Sequence, residues 1–430
     1  MSVLYPSEKT SRVARHAYKL KPCGMSQPTS REAPTRFERL CRAALVARLQ
    51  NVTKGQLLLA DAERQFSYGT LHDDETAARI EVRDPRFYRH AALGGSMGAA
   101  EAYIRGYWES DDLIAVMRLM ARNAAALSEM ERGVSRLVKP LLRVGHWLTR
   151  NTLVGSQRNI AAHYDLSNEF FATFLDPTMT YSSGLFEQPE TTLAEASLAK
   201  YERLCQLLDL KPHDHLLEIG TGWGGFACYA AHEYGCRVTT TTISKAQHDY
   251  AKQQIAAAGL EKRVELLRTD YRQLQGSFDK IVSIEMIEAV GHEFLGTFFG
   301  KCDELLRPGG SLALQAITMP EQRYERYRRS VDFIQRYVFP GGCLPSVGAL
   351  VAATERTSLQ LTTLDDFGQD YARTLEIWRE NFHANLDVIR ELGMTERLLR
   401  TWHYYFCYCE AAFREQLIGL KQMVFVKPGR

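Results

Sequence analysis

The sequence contains no cysteine pair with CxxC spacing and no Cys/His cluster with the spacing of a zinc site. Its nine cysteines are scattered along 430 residues, and "CYC" at 407–409 is too close for the zinc pattern. No metal site is therefore predicted. Scattered cysteines in a long chain are typical of reduced thiols in the cytoplasm, so a cytoplasmic location is predicted.

Long apolar runs are also missing. The N-terminus "MSVLYPSEKTSRVARHAYKL" lacks the apolar core of a secretory signal. No run of about 18 apolar residues follows it, and a helix needs such a run to cross a bilayer. Neither secretion nor a membrane-spanning helix is predicted.

Neither charge is in strong excess, because 53 Lys and Arg residues stand against 51 Asp and Glu residues, a formal net charge of +2. Basic residues are nevertheless concentrated in the first fifty residues and again between Arg132 and Arg158. Such runs are typical of solvated faces or flexible tails, and the alternative is contact with an anionic membrane surface. No RRM or KH signature accompanies them, so nucleic-acid binding is not predicted.

Composition and periodicity divide the chain into four parts. Residues 1–35, rich in Ser, Pro, Lys and Arg, predict a flexible basic arm. Residues 36–125 predict a small domain with strands in "GQLLLADAERQFSYG" and "ARIEVRD", followed by a helix, a Gly-rich turn and a second helix. Residues 126–160 predict an amphipathic connector that either packs on the protein or lies on a lipid surface. Residues 161–430 are the largest domain.

Strands and helices alternate in this last part from about residue 195. The strand patterns "HLLEIG", "RVTTTTI", "VELLRTD" and "DKIVSIEM" are separated by helical patterns and short loops. This βαβαβ series predicts an α/β fold with a doubly wound, Rossmann-like parallel sheet, in addition to the smaller N-terminal α+β domain.

The segment "LLEIGTGWGG" (216–225) carries the most informative local motif. Glu218 ends a predicted strand, Gly220 and Gly222 allow a sharp turn, and Gly224 lies where the next helix begins. The spacing is G-x-G-x-G, not the G-x-G-x-x-G of pyrophosphate binders. In this context the motif predicts an S-adenosylmethionine site, and the alternative is a tight turn without a ligand.

Two further strand ends supply polar residues. "TTIS" (241–244), with Gln247 nearby, follows the second strand, and "TDYRQ" (269–273) follows the third. The carboxyl ends of parallel strands meet at one edge of a sheet, which is where ligands of such sheets bind. We therefore expect these loops to converge with the Gly-rich turn.

Six segments that occur in a fixed order indicate a family. They are "HYDLSNEFFATFLDPTMTYSSGLFE" (163–187), "LEIGTGWGG" (217–225), "IEMIEAVG" (284–291), "FPGGCLPS" (339–346), "DFGQDYARTLEIWRENF" (366–382) and "YYFCYCEAAFR" (404–414). Together they resemble the cyclopropane-fatty-acyl-phospholipid synthase family, which includes the mycolic acid cyclopropane synthases. The resemblance implies a Rossmann-like methyltransferase sheet in 161–430, with a lid over 320–346. It also implies methyl(ene) transfer from S-adenosylmethionine to a cis double bond in an acyl chain of a membrane phospholipid, forming a cyclopropane fatty acid.

The resemblance further implies a bound bicarbonate ion as the base that removes a proton after methyl transfer. Its expected holders are Glu288 of "EMIEAVG", Tyr371 of "GQDYARTL" and the backbone amide of Ile317. Two positions depart from the family pattern, because Ser183 replaces a Cys and Gln315 replaces a His. Ser and Gln can still donate hydrogen bonds, although Gln cannot titrate.

The expected cofactor contacts combine the three loops with a segment further upstream. They are Tyr181, Ser182, Glu218, Gly220, Gly222, Gly224, Thr242, Ile243, Gln247, Asp270, Tyr271 and Arg272. Tyr181 has the alternative of being a core residue, and Arg272 of forming a surface ion pair. The resemblance also places Cys409 near the acyl channel, with a buried packing cysteine as the alternative.

"SIEMIEAVG" contains a second acid, Glu285, at the end of an apolar strand. Burying an unpaired carboxylate is costly, so this side chain requires a partner or a role. Family members often have Gly at this position. The alternatives for Glu285 are replacement of a lost polar contact near Gln315 or binding of the methionine end of the cofactor. For Glu288, a role in orienting the base predicts that Glu288→Gln binds the cofactor but loses most turnover.

Several functional alternatives stay open. A methylene- or methyl-branched product is the alternative to the ring, because Ser183 and Gln315 alter the base site. A methyltransferase for a soluble small molecule and a non-catalytic lipid-binding protein are the other classes.

The lid has Arg residues that would meet lipid phosphates, or it is an ordinary charged surface helix. The resemblance implies contact with an anionic membrane surface, a peripheral location on the inner membrane face and, as a plausible assembly, a homodimer.

Overall fold

The structure is a computed structural model that describes residues 33–71, 77–129 and 166–429. Most of the predicted arm (1–35) and of the predicted connector (126–160) therefore lies outside the described residues. Those residues form two compact units. We call 166–381 with 418–429 the sheet unit, and 33–71, 77–129 and 382–417 the small unit.

Helices and strands are labelled in chain order. They are α1 (Arg36–Leu49), β1 (Gln56–Ala60), β2 (Gln65–Tyr68), β3 (Ala77–Val82), α2 (Arg86–Ile104), β4 (Trp108–Glu109), α3 (Leu113–Arg122), α4 (Ala124–Glu129), α5 (Asn168–Ala172), α6 (Leu193–Leu207), β5 (His215–Ile219), α7 (Gly225–Glu233), β6 (Arg237–Thr241), α8 (Lys245–Ala257), β7 (Val264–Leu267), β8 (Phe278–Ile284), α9 (Leu295–Leu305), β9 (Leu306–Thr318), α10 (Glu321–Tyr327), α11 (Phe333–Tyr337), α12 (Val347–Ala352), β10 (Gln360–Asp366), α13 (Gly368–Ala384), α14 (Leu386–Glu391), α15 (Glu396–Arg414) and β11 (Gly419–Val426).

The sheet unit is built on a sheet with the strand order β10–β11–β9–β8–β5–β6–β7. The five strands from β9 to β7 in this order are parallel, whereas β11 is antiparallel to both β9 and β10. The strand order changes direction between β5 and β8, so a crevice opens at the carboxyl ends of these two strands. The predicted α/β fold with a doubly wound, mostly parallel sheet is confirmed.

Both faces of this sheet are covered. Leu217 and Ile281 belong to one buried apolar cluster, and their sequence neighbours Leu216 and Val282 belong to another. Since consecutive side chains of a strand point to opposite faces, the nearly continuous apolar strands of the sequence follow from burial on both sides.

The small unit contains a sheet with the order β2–β1–β3–β4. Its first three strands lie in the segments in which the sequence predicts them. Helix α2 is interrupted at Gly95 (φ 58°, ψ −139°), in agreement with the predicted helix, Gly-rich turn and helix.

Helix α15 belongs to the small unit, although its sequence lies inside the predicted domain 161–430. Tyr103 of α2 lies 2.8 Å from Nδ1 of His403, and Arg118 of α3 donates to Glu415 at 2.7 Å. These two contacts join segments about 300 residues apart in the sequence, so local periodicity does not reveal them. Within the three described ranges, no helix is long and apolar enough to cross a membrane.

Candidate active site

The Gly-rich turn after β5 has a backbone that favours glycine at all three predicted positions. The φ angles of Gly220, Gly222 and Gly224 are 108°, 53° and 93°. A Cβ on Gly220 would lie 3.2 Å from that of Met286, and one on Gly224 would lie 3.1 Å from that of Ala251. The turn therefore brings bare backbone against the end of β8, as a site for a closely bound ligand requires.

The loops after β5, β6 and β7 are joined at one edge of the sheet. The backbone amides of Gly220 and Thr221 both donate to the carbonyl oxygen of Thr241 at 3.1 Å. The hydroxyl of Thr241 donates to the carbonyl oxygen of Thr269 at 2.5 Å. The structure thus brings the three predicted cofactor loops together.

Two of these loops are shaped by contacts within themselves. The Thr242 hydroxyl donates to Oε1 of Gln247 at 2.9 Å, next to the half-buried Ile243. Arg272 holds Asp270 with two hydrogen bonds, from Nε at 2.8 Å and from Nη2 at 2.6 Å. Arg272 thus forms an ion pair with Asp270, but both side chains are largely buried, unlike the surface ion pair considered for it.

A wall of aromatic rings stands beside the segment that contains Tyr181. The Tyr181 ring stacks on Trp378, with centroids 5.2 Å apart, and on Phe339 at 6.3 Å. Phe171 and Phe174 approach the same ring at 5.5 and 6.3 Å. Tyr181 is therefore half-buried in an aromatic cluster whose ring faces attract positive charge.

Glu218, the acid before the glycines, is buried in the sheet. Its carboxylate accepts a hydrogen bond from the Thr240 hydroxyl at 2.6 Å. Burial raises the pKa of Glu218 to about 8, and the nearby charge of Lys200 opposes this rise. The acid thus helps to order the strand ends beneath the turn.

Lys200 is a site residue that the sequence-based predictions missed. Its side chain is fully buried, and Nζ donates to the Ser182 hydroxyl at 2.6 Å. Burial lowers the pKa of Lys200 to about 8, against the opposing charge of Glu285. The sequence does indicate that Lys200 is buried, because it lies at helical spacing from Ala196 and Leu204 on the apolar face of α6.

Glu285 lies at the centre of the predicted base site. Its Oε1 accepts hydrogen bonds from the backbone amide of Ser183 at 3.0 Å and from Nε2 of Gln315 at 2.7 Å. Its Oε2 accepts from the Tyr371 hydroxyl at 2.7 Å. Burial raises the pKa of Glu285, and the charge of Lys200 together with these three donors opposes the rise. The expected polar contact between Glu285 and Gln315 is therefore observed.

The amide of Gln315 has a defined orientation. Its Oε1 accepts from Nε2 of Gln422 at 2.9 Å, and Oε1 of Gln422 accepts from Arg203 at 2.8 Å. Gln315 and Gln422 face each other in the register of β9 and β11. Because the oxygen of Gln315 is used by Gln422, its amide N–H points at Glu285. The sequence-based predictions missed Gln422 as a positioning residue.

Glu288 pairs with the predicted amide directly. The backbone amide of Ile317 donates to Oε1 of Glu288 at 2.5 Å, and Oε2 is buried without a hydrogen-bond partner among the described residues. Burial and then the charge of Glu285 raise the pKa of Glu288 to about 8. Burial raises the pKa of both acids, and Glu285 is the member whose charged form is stabilised by three hydrogen-bond donors.

The expected bicarbonate ion does not fit this arrangement. Three of its predicted holders, at positions 183, 315 and 371, already donate to the carboxylate of Glu285. The fourth donor, the amide of Ile317, is used by Glu288. A separate anion would have no donors left in this set.

Cys409 is the remaining predicted site residue. It lies on α15 in the small unit and is half-buried. Its expected place near an acyl channel stays a prediction.

Ser183→Ala is expected to change turnover by less than about threefold. The Ser183 hydroxyl donates to the carbonyl oxygen of Gly184 at 2.8 Å, and the backbone amide is the group that reaches Glu285. Alanine keeps that amide. The initial rate of methyl transfer from labelled S-adenosylmethionine measures the effect, and a loss of tenfold or more would contradict the placement of the hydroxyl.

The segment 320–346 is amphipathic and tied to the acid pair. Tyr324 and Phe333 are buried, whereas Arg326 and Arg336 are exposed. The backbone amide of Cys343 donates to the carbonyl oxygen of Glu288 at 2.8 Å. Arg326 and Arg336 thus face outward while Tyr324 and Phe333 face the protein.

Comparisons with known proteins identify relatives of this chain. The family model described as mycolic acid cyclopropane synthetase matches residues 152–423. The tuberculostearic acid methyltransferase of Mycobacterium tuberculosis is 39% identical over 79% of this chain and 81% of its own length. The cyclopropane-fatty-acyl-phospholipid synthase of Escherichia coli is 35% identical over 81% of this chain and 87% of its own length.

A solved structure provides a third comparison. The mycolic acid cyclopropane synthase crystallised with SAH and CTAB is 32% identical, with a TM-score of 0.60 over 63% of this chain and 98% of that one. The resemblance seen in the six sequence segments is confirmed. The chain belongs to the mycolic acid cyclopropane synthetase family and is an S-adenosylmethionine-dependent methyltransferase of that family.

Proposed function

We propose that the protein transfers a methyl(ene) group from S-adenosylmethionine to the cis double bond of an unsaturated acyl chain in a membrane phospholipid, forming a cyclopropane fatty acid. The supporting observation is the buried acid pair of Glu285 and Glu288 at the carboxyl end of β8, next to the Gly-rich turn. The E. coli relative is named for this reaction.

The side chains around the acid pair suit the chemistry of an alkene. An alkene is a weak nucleophile, so the site must align it and keep water from the carbocation that forms. The bound cofactor supplies an electrophilic methyl group on its sulfonium. The rings of Tyr181 and Trp378 offer π faces for positive charge, and Tyr371 links this wall to Glu285.

A methylene- or methyl-branched acyl chain is the second candidate product. It is favoured by the departures at Ser183, Gln315 and Glu285, which rebuild the site of proton removal and so bear on the fate of the cation. The relative with 39% identity is named as a tuberculostearic acid methyltransferase, a name without cyclopropane. The ring and the methylene branch share the methyl transfer and differ in the bond that forms when the proton leaves.

Peripheral contact with an anionic membrane surface belongs to the same proposal. It is supported by the exposed Arg326 and Arg336 on a segment in which Tyr324 and Phe333 are buried. Basic residues held near a membrane surface attract anionic headgroups.

Cells that contain unsaturated phospholipids and express this protein are expected to gain lipids heavier by one CH₂. Lipid mass spectrometry measures this gain. Gly224→Val is the matched inactive control, because a valine there would crowd Ala251 and would be strained at a φ of 93°. Unchanged lipids with active turnover of a soluble acceptor would contradict the proposal.

Trideuteromethyl-labelled cofactor then separates the products. The ring and the methylene branch each keep two deuterium atoms, and mild hydrogenation reduces the methylene but not the ring. A product that keeps all three deuterium atoms excludes both the ring and the methylene branch.

A further inference from the structure

Glu285 has an unusual backbone for a long side chain. Its φ angle is 50°, in the left-handed region that favours glycine. Such a conformation is strained for a non-glycine residue, and it is retained where the surrounding structure holds it in place, often at functional sites. The backbone amide of Glu285 is held by the carbonyl oxygen of Gln315 at 2.8 Å. The strain turns the carboxylate back into the site at the end of β8.

Three donors from separate segments converge on this carboxylate. Each of them donates a hydrogen bond to an oxygen of Glu285. They are the backbone amide of Ser183, the side-chain amide of Gln315 and the hydroxyl of Tyr371. The relay through Gln422 and Arg203 fixes the amide of Gln315 as a donor. The site is therefore built to hold a negative charge.

We propose that the carboxylate of Glu285 is itself the base of the reaction, as a resident group in the place where the family resemblance predicts a bound anion. This inference rests on the proposed function. Oε1 accepts two hydrogen bonds and Oε2 accepts one, so Oε2 keeps a lone pair for a proton.

The step balances in electrons and protons. The alkene π pair forms a bond to the transferred methyl carbon, and the carbon–sulfur bond breaks with its pair on sulfur. Glu285 then takes a proton from the carbocation. The electron pair of the broken C–H bond closes the ring or forms the methylene double bond. Glu285 returns its proton to solvent after the product leaves.

Glu285→Gly is the informative variant, because glycine adopts a φ of 50° without strain and uncovers the three donors. In bicarbonate-depleted buffer we expect this variant to bind SAH as the wild type does but to lose at least about 10²-fold in turnover. Wild-type turnover should not change when bicarbonate is removed. Sodium bicarbonate should bind the variant in calorimetry, should not bind the wild type, and should restore turnover to the variant.

Each contrary result overturns the inference. A wild-type rate that falls on bicarbonate depletion makes the free anion the base, and so does bicarbonate binding to the wild type. A Glu285→Gly rate within about threefold of wild type in depleted buffer removes Glu285 from the chemistry. No bicarbonate binding by the variant contradicts an anion site built from the three donors. Glu285→Gln is the second variant if the glycine variant fails to fold.

The bicarbonate titration uses no lipid, so it separates the two proposals. A wild-type enzyme that methylates no phospholipid contradicts the proposed function. The difference in bicarbonate binding between wild type and Glu285→Gly still decides whether Glu285 occupies the anion site.

Discussion

Glu285→Gln is expected to lower turnover by about 10³-fold, whereas Glu288→Gln is expected to lower it by no more than about tenfold. Both changes replace a carboxyl group by an amide of the same shape, and the two acids lie three residues apart. The expected difference in turnover follows from the different charges proposed for the two acids. Glu285 is surrounded by donors that stabilise a carboxylate, and an amide cannot accept a proton in its place.

Glu288 differs because it is already neutral. Its burial, followed by the charge of Glu285, raises its pKa to about 8, so its carboxyl group is protonated at pH 7. A glutamine keeps the oxygen that accepts from the Ile317 amide and places an N–H where the carboxyl has its O–H. The family resemblance predicts that Glu288→Gln loses most turnover, and the proposal that Glu285 is the base moves that expectation to Glu285.

The measurement is kcat with vesicles of unsaturated phospholipid and saturating cofactor. SAH binding by calorimetry controls for the cofactor site, and thermal unfolding controls for stability. Glu288→Leu is the contrasting variant, because it leaves the half-buried Ile317 amide without its Glu288 acceptor, at a cost of about 1–3 kcal/mol. Equal losses of turnover in the two glutamine variants would contradict the assigned charges.

The fold of the sheet unit is well predicted, because the sequence patterns that define it involve residues close together in the chain. Apolar strand patterns, helical patterns and the glycines at 220, 222 and 224 each act through neighbours a few residues away. The parallel sheet and the convergence of its loops follow from these elements by the rules of chain connection.

The base site is less predictable because it depends on register and on side-chain direction. Gln422 meets Gln315 through the pairing of β11 with β9, and the two residues are 107 positions apart. Glu285 looks like an anomaly in an apolar strand until its three donors are located. A motif comparison identifies the positions but does not tell which group already accepts their hydrogen bonds.

Lys200→Met is expected to lower turnover by about tenfold or more at pH 6.5. Lys200 is a fully buried cation in the sheet unit, and its charge lowers the pKa of Glu285 against the effect of burial. Without that charge the pKa of Glu285 rises, so less of the base is ionised near neutral pH. Glu288, whose pKa is itself raised, and Tyr371 are the other titratable groups that face Glu285.

The sign of the pH dependence follows. Since the base must be ionised, activity is present above the pKa of Glu285 and is lost as the pH falls through it, and burial places this acid limb above the ordinary value of 4.5. Lys200→Met moves the limb to higher pH. Lys200 itself has a pKa of about 8, so wild type loses the cation above that pH and the two rates should converge there.

Rate profiles between pH 5.5 and 9 test this, with Lys245→Met as the control because Lys245 is an exposed lysine paired with Asp249 on α8. A purely structural role of Lys200 would lower the rate by the same factor at every pH. A titrating base under the influence of Lys200 instead gives a ratio of wild-type to variant rates that is largest on the acid side and falls toward one above about pH 8. The shape of that ratio therefore decides whether the buried lysine acts through the charge of Glu285 or only through packing.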